Sequence, residues 1–301
     1  LSPRARIASP TLALVALAAA ACAGPPAAEG DVPGLVIARF EDARALAAGP
    51  GGALYVVDAG ASTVVVIGPE GAVAVLGGAG VGEGAFLDPA DIDPTNGQAL
   101  FVADAGAGTV THLTAEGRTA EVVAVPQADA SRAARAVGPD LGAEGRGRPV
   151  ALAAAPDGAL YVVEAERGVV LRLGDTRGVE RVLGGAEAGA ARLVRPVDLA
   201  VADDGTLWVA DAGRGAVQAF DPFGAPGLAV AVRDVGGSVA VEVVGGTLLV
   251  TGPAAVGTFT TSGEAVALWP LDLGESLVGA VETSLGTYVL TRTRLVRLDA
   301  R

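Results

Sequence analysis

The chain has 301 residues, of which 51% are apolar and 44 are glycine, with one cysteine, one histidine and a formal net charge of −13. That acidic balance argues against a nucleic-acid backbone as partner, because such affinity is mostly cationic, and a lone cysteine excludes an internal disulfide. All 21 basic residues are arginine, which reads as coding bias and carries no functional signal.

Taken in order, the chain opens with Arg4 and Arg6, an uncharged and mostly apolar stretch from Ile7 to Ala21, and Cys22 directly after Ala19-Ala20-Ala21. A positive start, an apolar run too short to span a bilayer comfortably and small residues at its end are the three parts of an export signal. The cysteine that follows resembles the lipobox of bacterial lipoproteins, with the departure that Ala19 stands where that motif usually has leucine. The resemblance implies a signal peptide over residues 1–21, acylation of Cys22, a lipidated tether over 22–34 and anchoring in the bacterial cell envelope. Ordinary secretion with a cut near Ala21 or Ala23 is the alternative.

The remainder reads as repeated short strands. Blade one has strands about Ala43–Ala48, Ala53–Val57, Val64–Ile67 and Val73–Leu76, separated by turns rich in glycine. Blade two runs from Pro89 to Val125, blade three from Pro149 to Leu183, and Gln127–Arg148 is an insertion with little periodic apolar content. Blade four, with apolar runs Val197–Ala202, Leu207–Ala210 and Ala216–Phe220, is the clearest unit; its junctions carry Asp and Gly where a tight reversal needs an acceptor or positive φ. Blades five (about Ser238–Leu268) and six (about Val278–Leu298) lack the Asp-Ala-Gly turn. Taking Tyr55, Phe101, Tyr161, Trp208, Leu248 and Tyr288 as equivalent gives steps of 46, 60, 47, 40 and 40 residues. That period, carried by strands alone, predicts an all-β, six-bladed propeller over 35–301. Blade six supplies only three strands, so Leu35–Phe40, which has no hairpin partner before it, is expected to complete the last blade.

The repeated pattern P-x-x-L-A, then D-G-x-L-[YW]-V-x-[DE]-A, then a third strand resembles the NHL repeat, whose proteins form six-bladed propellers. It is strongest in blades one to four. The Asn-Arg pair usual at the turn into the third strand is missing here. Because that family includes enzymes, scaffolds and recognition domains, the resemblance speaks to fold and leaves function open.

Two acidic sets stand out. Asp58, Asp104, Glu164 and Asp211 each end a second strand before small turn residues, where a carboxylate accepts backbone N–H bonds and fixes the turn. These are expected to be structural. Aligning the inner strands on Leu46, Ile92, Leu152, Leu199, Val241 and Val281 puts Asp91 and Asp198 at one position and Asp93, Glu242 and Glu282 two residues further, on the face opposite the apolar anchor. These five surround either a water-filled channel or a cation such as calcium, which takes six to eight oxygens.

Propeller lyases and lactonases, related families by resemblance, rely on metal-bound histidines or on calcium held by Glu, Asn and Asp. Here the single histidine, His112, has no second His or Cys for a zinc site, and the single asparagine is Asn96. No Gly-x-Ser-x-Gly elbow is present, so covalent hydrolysis has no nucleophile set, and no catalytic residue is assigned. The sequence therefore favours a non-catalytic envelope propeller with a protein or polysaccharide partner at its rim, touching membrane only through its lipid. The alternative is a calcium-dependent hydrolase or lyase working at the channel.

Overall fold

The computed structural model of the protein describes residues 34–298, apart from 96, 98, 128–144 and 187. The export segment, Cys22, Asn96 and most of the insertion lie outside the described residues.

The fold is six four-stranded antiparallel sheets. The described strands begin with β1 (Leu35–Arg39), followed by blade one as β2 (Ala43–Ala48), β3 (Leu54–Asp58), β4 (Thr63–Ile67) and β5 (Val73–Gly77). Blade two is β6 (Pro89–Asp93), β7 (Ala99–Asp104), β8 (Thr109–Thr114) and β9 (Thr119–Ala124). Blade three is β10 (Pro149–Ala154), β11 (Leu160–Glu164), β12 (Val169–Leu173) and β13 (Val179–Leu183). Blade four is β14 (Pro196–Val201), β15 (Leu207–Asp211), β16 (Ala216–Phe220) and β17 (Pro226–Ala231). Blade five is β18 (Ala240–Val244), β19 (Thr247–Thr251), β20 (Ala255–Thr260) and β21 (Ala265–Pro270). Blade six has β22 (Leu277–Thr283), β23 (Gly286–Thr291) and β24 (Arg294–Arg297) from the end of the chain.

The expected closure is observed. β1 pairs antiparallel with β24, Leu35 opposite Arg297 and Arg39 opposite Arg294, so the last sheet has the order β1-β24-β23-β22. This pairing ties the two ends of the ring into one sheet.

Alternating strand faces bury apolar side chains in wedges between neighbouring blades. Val57, Val64 and Phe86 of the first blade and its connector meet Leu100, Val102 and Leu113 of the second; the same layering joins blades six and one through Leu54, Val56, Tyr288 and Leu290. The two similar connectors GGAGVGEGAF and GGAEAGAARL share an anchor. Phe86 and Leu193 are both buried, and each packs so close to a glycine of positive φ, Gly77 and Gly184, that a Cβ there would lie 2.5 and 2.3 Å from it.

Because strands alternate direction, one face of the ring carries both the connectors between blades and the turns joining second to third strands. On this connector face, the inner strands of blades one to four and six start with a register shift, for example between Pro89 and Asp91 and between Pro196 and Asp198. Such a bulge re-aims the residues that follow it, which here face the axis.

Candidate functional site

In the structure the second-strand acids Asp58, Asp104, Glu164 and Asp211 accept backbone N–H bonds, from the incoming connector as well as from the turn. All four are buried. Asp104 accepts hydrogen bonds from Gly106 and Ala107 in its own turn, both at 3.0 Å, and from Leu87 and Asp88 in the connector at 2.8 and 2.9 Å. Glu164 takes Glu166 and Arg167 on the turn side and Arg148 on the connector side. Asp211 takes Gly213, Val194 and Arg195. Among the described residues, Asp58 accepts only from the incoming segment, at Glu41 and Asp42. Each carboxylate thus pins the chain arriving from the previous blade to the second strand of its own. Pairing register puts Thr251 and Thr291 at the same place in blades five and six, where both are buried. Sequence reading passed over them because a threonine in a strand is unremarkable.

The six inner strands wall a channel of about 410 Å3, lined among others by Asp91, Asp93, Asp198 and Glu242. Glu282, the fifth of the expected set, is exposed and outside that lining. The acids do more than sit in water. Asp91 accepts the backbone N–H of Leu152 at 2.7 Å, Asp93 that of Ala154 at 2.6 Å, and Asp198 that of Val241 at 2.7 Å. An inner strand has a ladder partner on its outer side only, so its axial amides need acceptors. Acids of the preceding blade supply three of them.

Burial, and after it the charge of Asp198, push the Asp91 carboxyl well above the usual carboxylate range, against the pull of the Leu152 and Ile92 amides. Burial raises Asp198 to about 7, although the Val241 and Leu199 amides favour its charged form. Glu242 is pushed up to about 8 by burial, opposed by the Glu282 amide and assisted by the charges of Asp198 and Glu282. Its Oε2 is buried without a hydrogen-bond partner among the described residues. Near neutral pH the channel therefore holds protonated acids, and its field is weaker than the formal charges suggest.

A calcium ion would need several of these oxygens at once. One oxygen of each aspartate is committed to a backbone amide, and among the described residues no three His, Cys, Asp or Glu side chains are grouped as metal ligands. The donors as arranged do not fit the ion. His112 sits in β8 with its ring stacked on Phe101 at 4.6 Å between centroids. Arg44, which the sequence reading did not single out, lines the channel and pairs with Asp88 at 2.8 Å and Asp42 at 3.1 Å. Burial pushes Asp42 up, but hydrogen bonds from Arg292 and Arg44 outweigh it and leave that carboxyl below its ordinary value.

The geometry defines a closed six-bladed β-propeller with an acid-lined axis. The NHL repeat family model matches residues 193–220, which cover β14 to β16 of blade four. No curated protein matches the chain significantly by sequence. Among solved structures it is similar to virginiamycin B lyase from Staphylococcus aureus, with 13% identity, a TM-score of 0.58 and coverage of 83% of this chain and 78% of that one. It is also similar to XC5397 from Xanthomonas campestris, described as a gluconolactonase, with 17% identity, a TM-score of 0.61 and coverage of 90% and 91%. A chain of a nidogen/laminin complex aligns with 15% identity, a TM-score of 0.56 and coverage of 78% and 82%. At these identities the likeness is one of fold, shared by catalytic and binding proteins alike.

Proposed function

We propose that the chain is a non-catalytic propeller scaffold of the bacterial cell envelope, lipid-anchored through Cys22, that presents its connector face to a polysaccharide or protein partner. The observation supporting this reading is the use of the channel acids. Asp91, Asp93 and Asp198 each spend an oxygen on a backbone amide of the next blade, a tie that holds inner strands together and leaves little of the donor set for a reacting molecule.

A second reading is favoured by one detail. The buried Oε2 of Glu242, without a partner among the described residues, and the pKa of about 8 for this carboxyl suit a general acid or base, and solved structures of similar fold include a virginiamycin B lyase and a protein described as a gluconolactonase. A calcium-dependent hydrolase or lyase would further require Asp91 and Asp198 to release their amides.

One assay separates the two: turnover of a panel of lactones and cyclic depsipeptides, with and without millimolar calcium, by the wild type and Glu242→Gln. No turnover by either is expected. Calcium-dependent turnover lost in the variant would replace the scaffold reading with the enzyme.

A further inference from the structure

We propose that the junction of blades three and four on the connector face binds a carboxylated sugar of an anionic polysaccharide, an inference that rests on the scaffold reading above and names its ligand.

A cavity of about 350 Å3 lies there, bounded by the blade-three turn Ala165–Gly168, by Val194–Val197 leading into β14, and by Val150. Two cations line it, Arg167 and Arg195, both exposed. Neither guanidinium has a hydrogen-bond or ion-pair partner among the described residues. This sets them apart from the arginines nearer blades six and one, where Arg44 meets Asp42 and Asp88, Arg292 meets Asp42 and Arg294 meets Glu275. In a chain of net charge −13, two arginines against the single acid Glu166 at one cavity are an anion-attracting exception.

The pair is also held in place. The buried carboxylate of Glu164 accepts the Arg167 amide at 3.0 Å, and that of Asp211 accepts the Arg195 amide at 2.9 Å. The acids that fasten blades together thus fix the backbone under both cations. Arg214, on the neighbouring turn, reaches the carbonyls of Ala190 and Arg192 at 2.8 and 3.3 Å, which draws further positive charge to the same connector.

The other walls narrow the chemistry. Glu166 accepts a hydrogen bond from Gln127 Nε2 at 2.8 Å and keeps lone pairs for hydroxyl donors. Val150, Val194, Pro196 and Val197 supply apolar wall. Paired guanidiniums suit a carboxylate, a carboxylate and an amide suit hydroxyls, and apolar side chains suit the C–H face of a ring. A uronic-acid sugar offers all three. An acidic peptide brings charge without the hydroxyl donors in number that Glu166 could accept. The volume is at the small end of ligand pockets, which run about 300–1,000 Å3, and holds about one ring of a longer chain.

The test is calorimetric titration of the full chain with oligogalacturonate, with a glucuronate-containing oligosaccharide, with a neutral galactose oligomer, and with an acidic peptide and an RNA oligomer as the competing classes of anion. The proteins are the wild type, Arg167→Gln/Arg195→Gln, and Arg118→Gln, which removes an exposed arginine on the opposite face. One of the acidic sugars is expected to bind the wild type and Arg118→Gln alike, to weaken about tenfold per arginine removed in the double variant, and to outcompete the neutral oligomer. Equal binding by the double variant would overturn the site while leaving a glycan scaffold standing. An equal loss in Arg118→Gln would reduce the effect to net charge, and tighter binding of an acidic peptide or an RNA oligomer would name the wrong class. Absence of binding by either acidic sugar also overturns the proposal, whereas the scaffold reading itself falls only to turnover at the channel.

Discussion

The carboxylate of Asp91 accepts the backbone N–H of Leu152 at 2.7 Å across the boundary between blades two and three. The two residues are 61 positions apart in the chain, and the bond joins the axial edges of β6 and β10. Asp198 repeats it from blade four to Val241 of blade five. A neutral acid can still accept through its carbonyl oxygen, so the tie survives the protonation that burial favours.

That arrangement predicts a pH dependence of definite sign. Asp198 and Glu242 titrate near 7 and 8 in the folded chain, and their unfolded values lie near 4. Between those values the folded state holds protons that the unfolded state has released, so stability is full below about pH 4 and falls as pH rises through about 7 to 8. Wild-type protein should melt higher near pH 5.5 than near pH 8.5, by roughly 2 kcal/mol after allowance for channel water. Asp91→Asn/Asp198→Asn/Glu242→Gln should lose this slope and be the more stable protein at the alkaline end. Parallel melting curves for the two proteins across that range would contradict the protonated channel.

The inter-blade fastening by second-strand acids makes a stronger demand. Asp104→Ala strands four backbone N–H groups, of Leu87, Asp88, Gly106 and Ala107, in a buried site where each unsatisfied donor costs about 1 kcal/mol or more. A loss of about 4 kcal/mol is expected from denaturant melts. Thr291→Val, which removes one hydroxyl accepting from Thr293 and Arg294, should cost about 1 kcal/mol. If the two changes cost the same, the carboxylate is a turn cap and nothing more.

How far the sequence carried this picture depends on the range of the interaction. The strand period and the missing fourth strand of blade six were readable, because both are written in local patterns that the ring only has to close. The turn side of Asp104 and Asp211 was readable too, since the accepting oxygen and its donors lie within three residues. Their connector side was not, because Leu87 and Val194 stand 17 residues away and meet the acids only once the blade has folded. The same holds for the channel: alternation placed Asp91, Asp93, Asp198 and Glu242 at the axis, but only the ring brings the amides of the next blade to them. Arg167 and Arg195 were invisible as a pair for that reason, one being in a turn of blade three and the other in the connector to blade four.

Closure through β1 predicts an asymmetry between two truncations. Removing residues 1–41 takes away the partner of β24 and bares Arg294–Arg297 as a sheet edge, together with the packing of Ile37 and Phe40 on the core between blades six and one. Its melting temperature should fall by about 10 °C or more, with aggregation. Removing residues 23–32, ahead of β1, should change the melt little. Equal melts would mean that β1 does not carry the closure.

The turns from second to third strand hold a final test. Ser62, Gly108, Gly168 and Gly215 occupy equivalent positions with φ of 54°, 65°, 62° and 62°, a left-handed conformation that glycine adopts freely and a residue with a Cβ does not. Blade one alone puts a serine there. The Ser62 side chain makes no hydrogen bond among the described residues, so its hydroxyl gives nothing back for the strain. Ser62→Gly should stabilise the protein by about 1 kcal/mol. The reverse exchange is available in blade four, where a Cβ on Gly215 would meet nothing within 4 Å, so Gly215→Ser should cost about the same through backbone strain alone. With the two sites in different blades and no shared partner, the double variant should return close to wild-type stability. A destabilised Ser62→Gly would show instead that the serine is held by packing, since it is 7% exposed, and that the left-handed turn of blade one is set by its neighbours more than by its own residue.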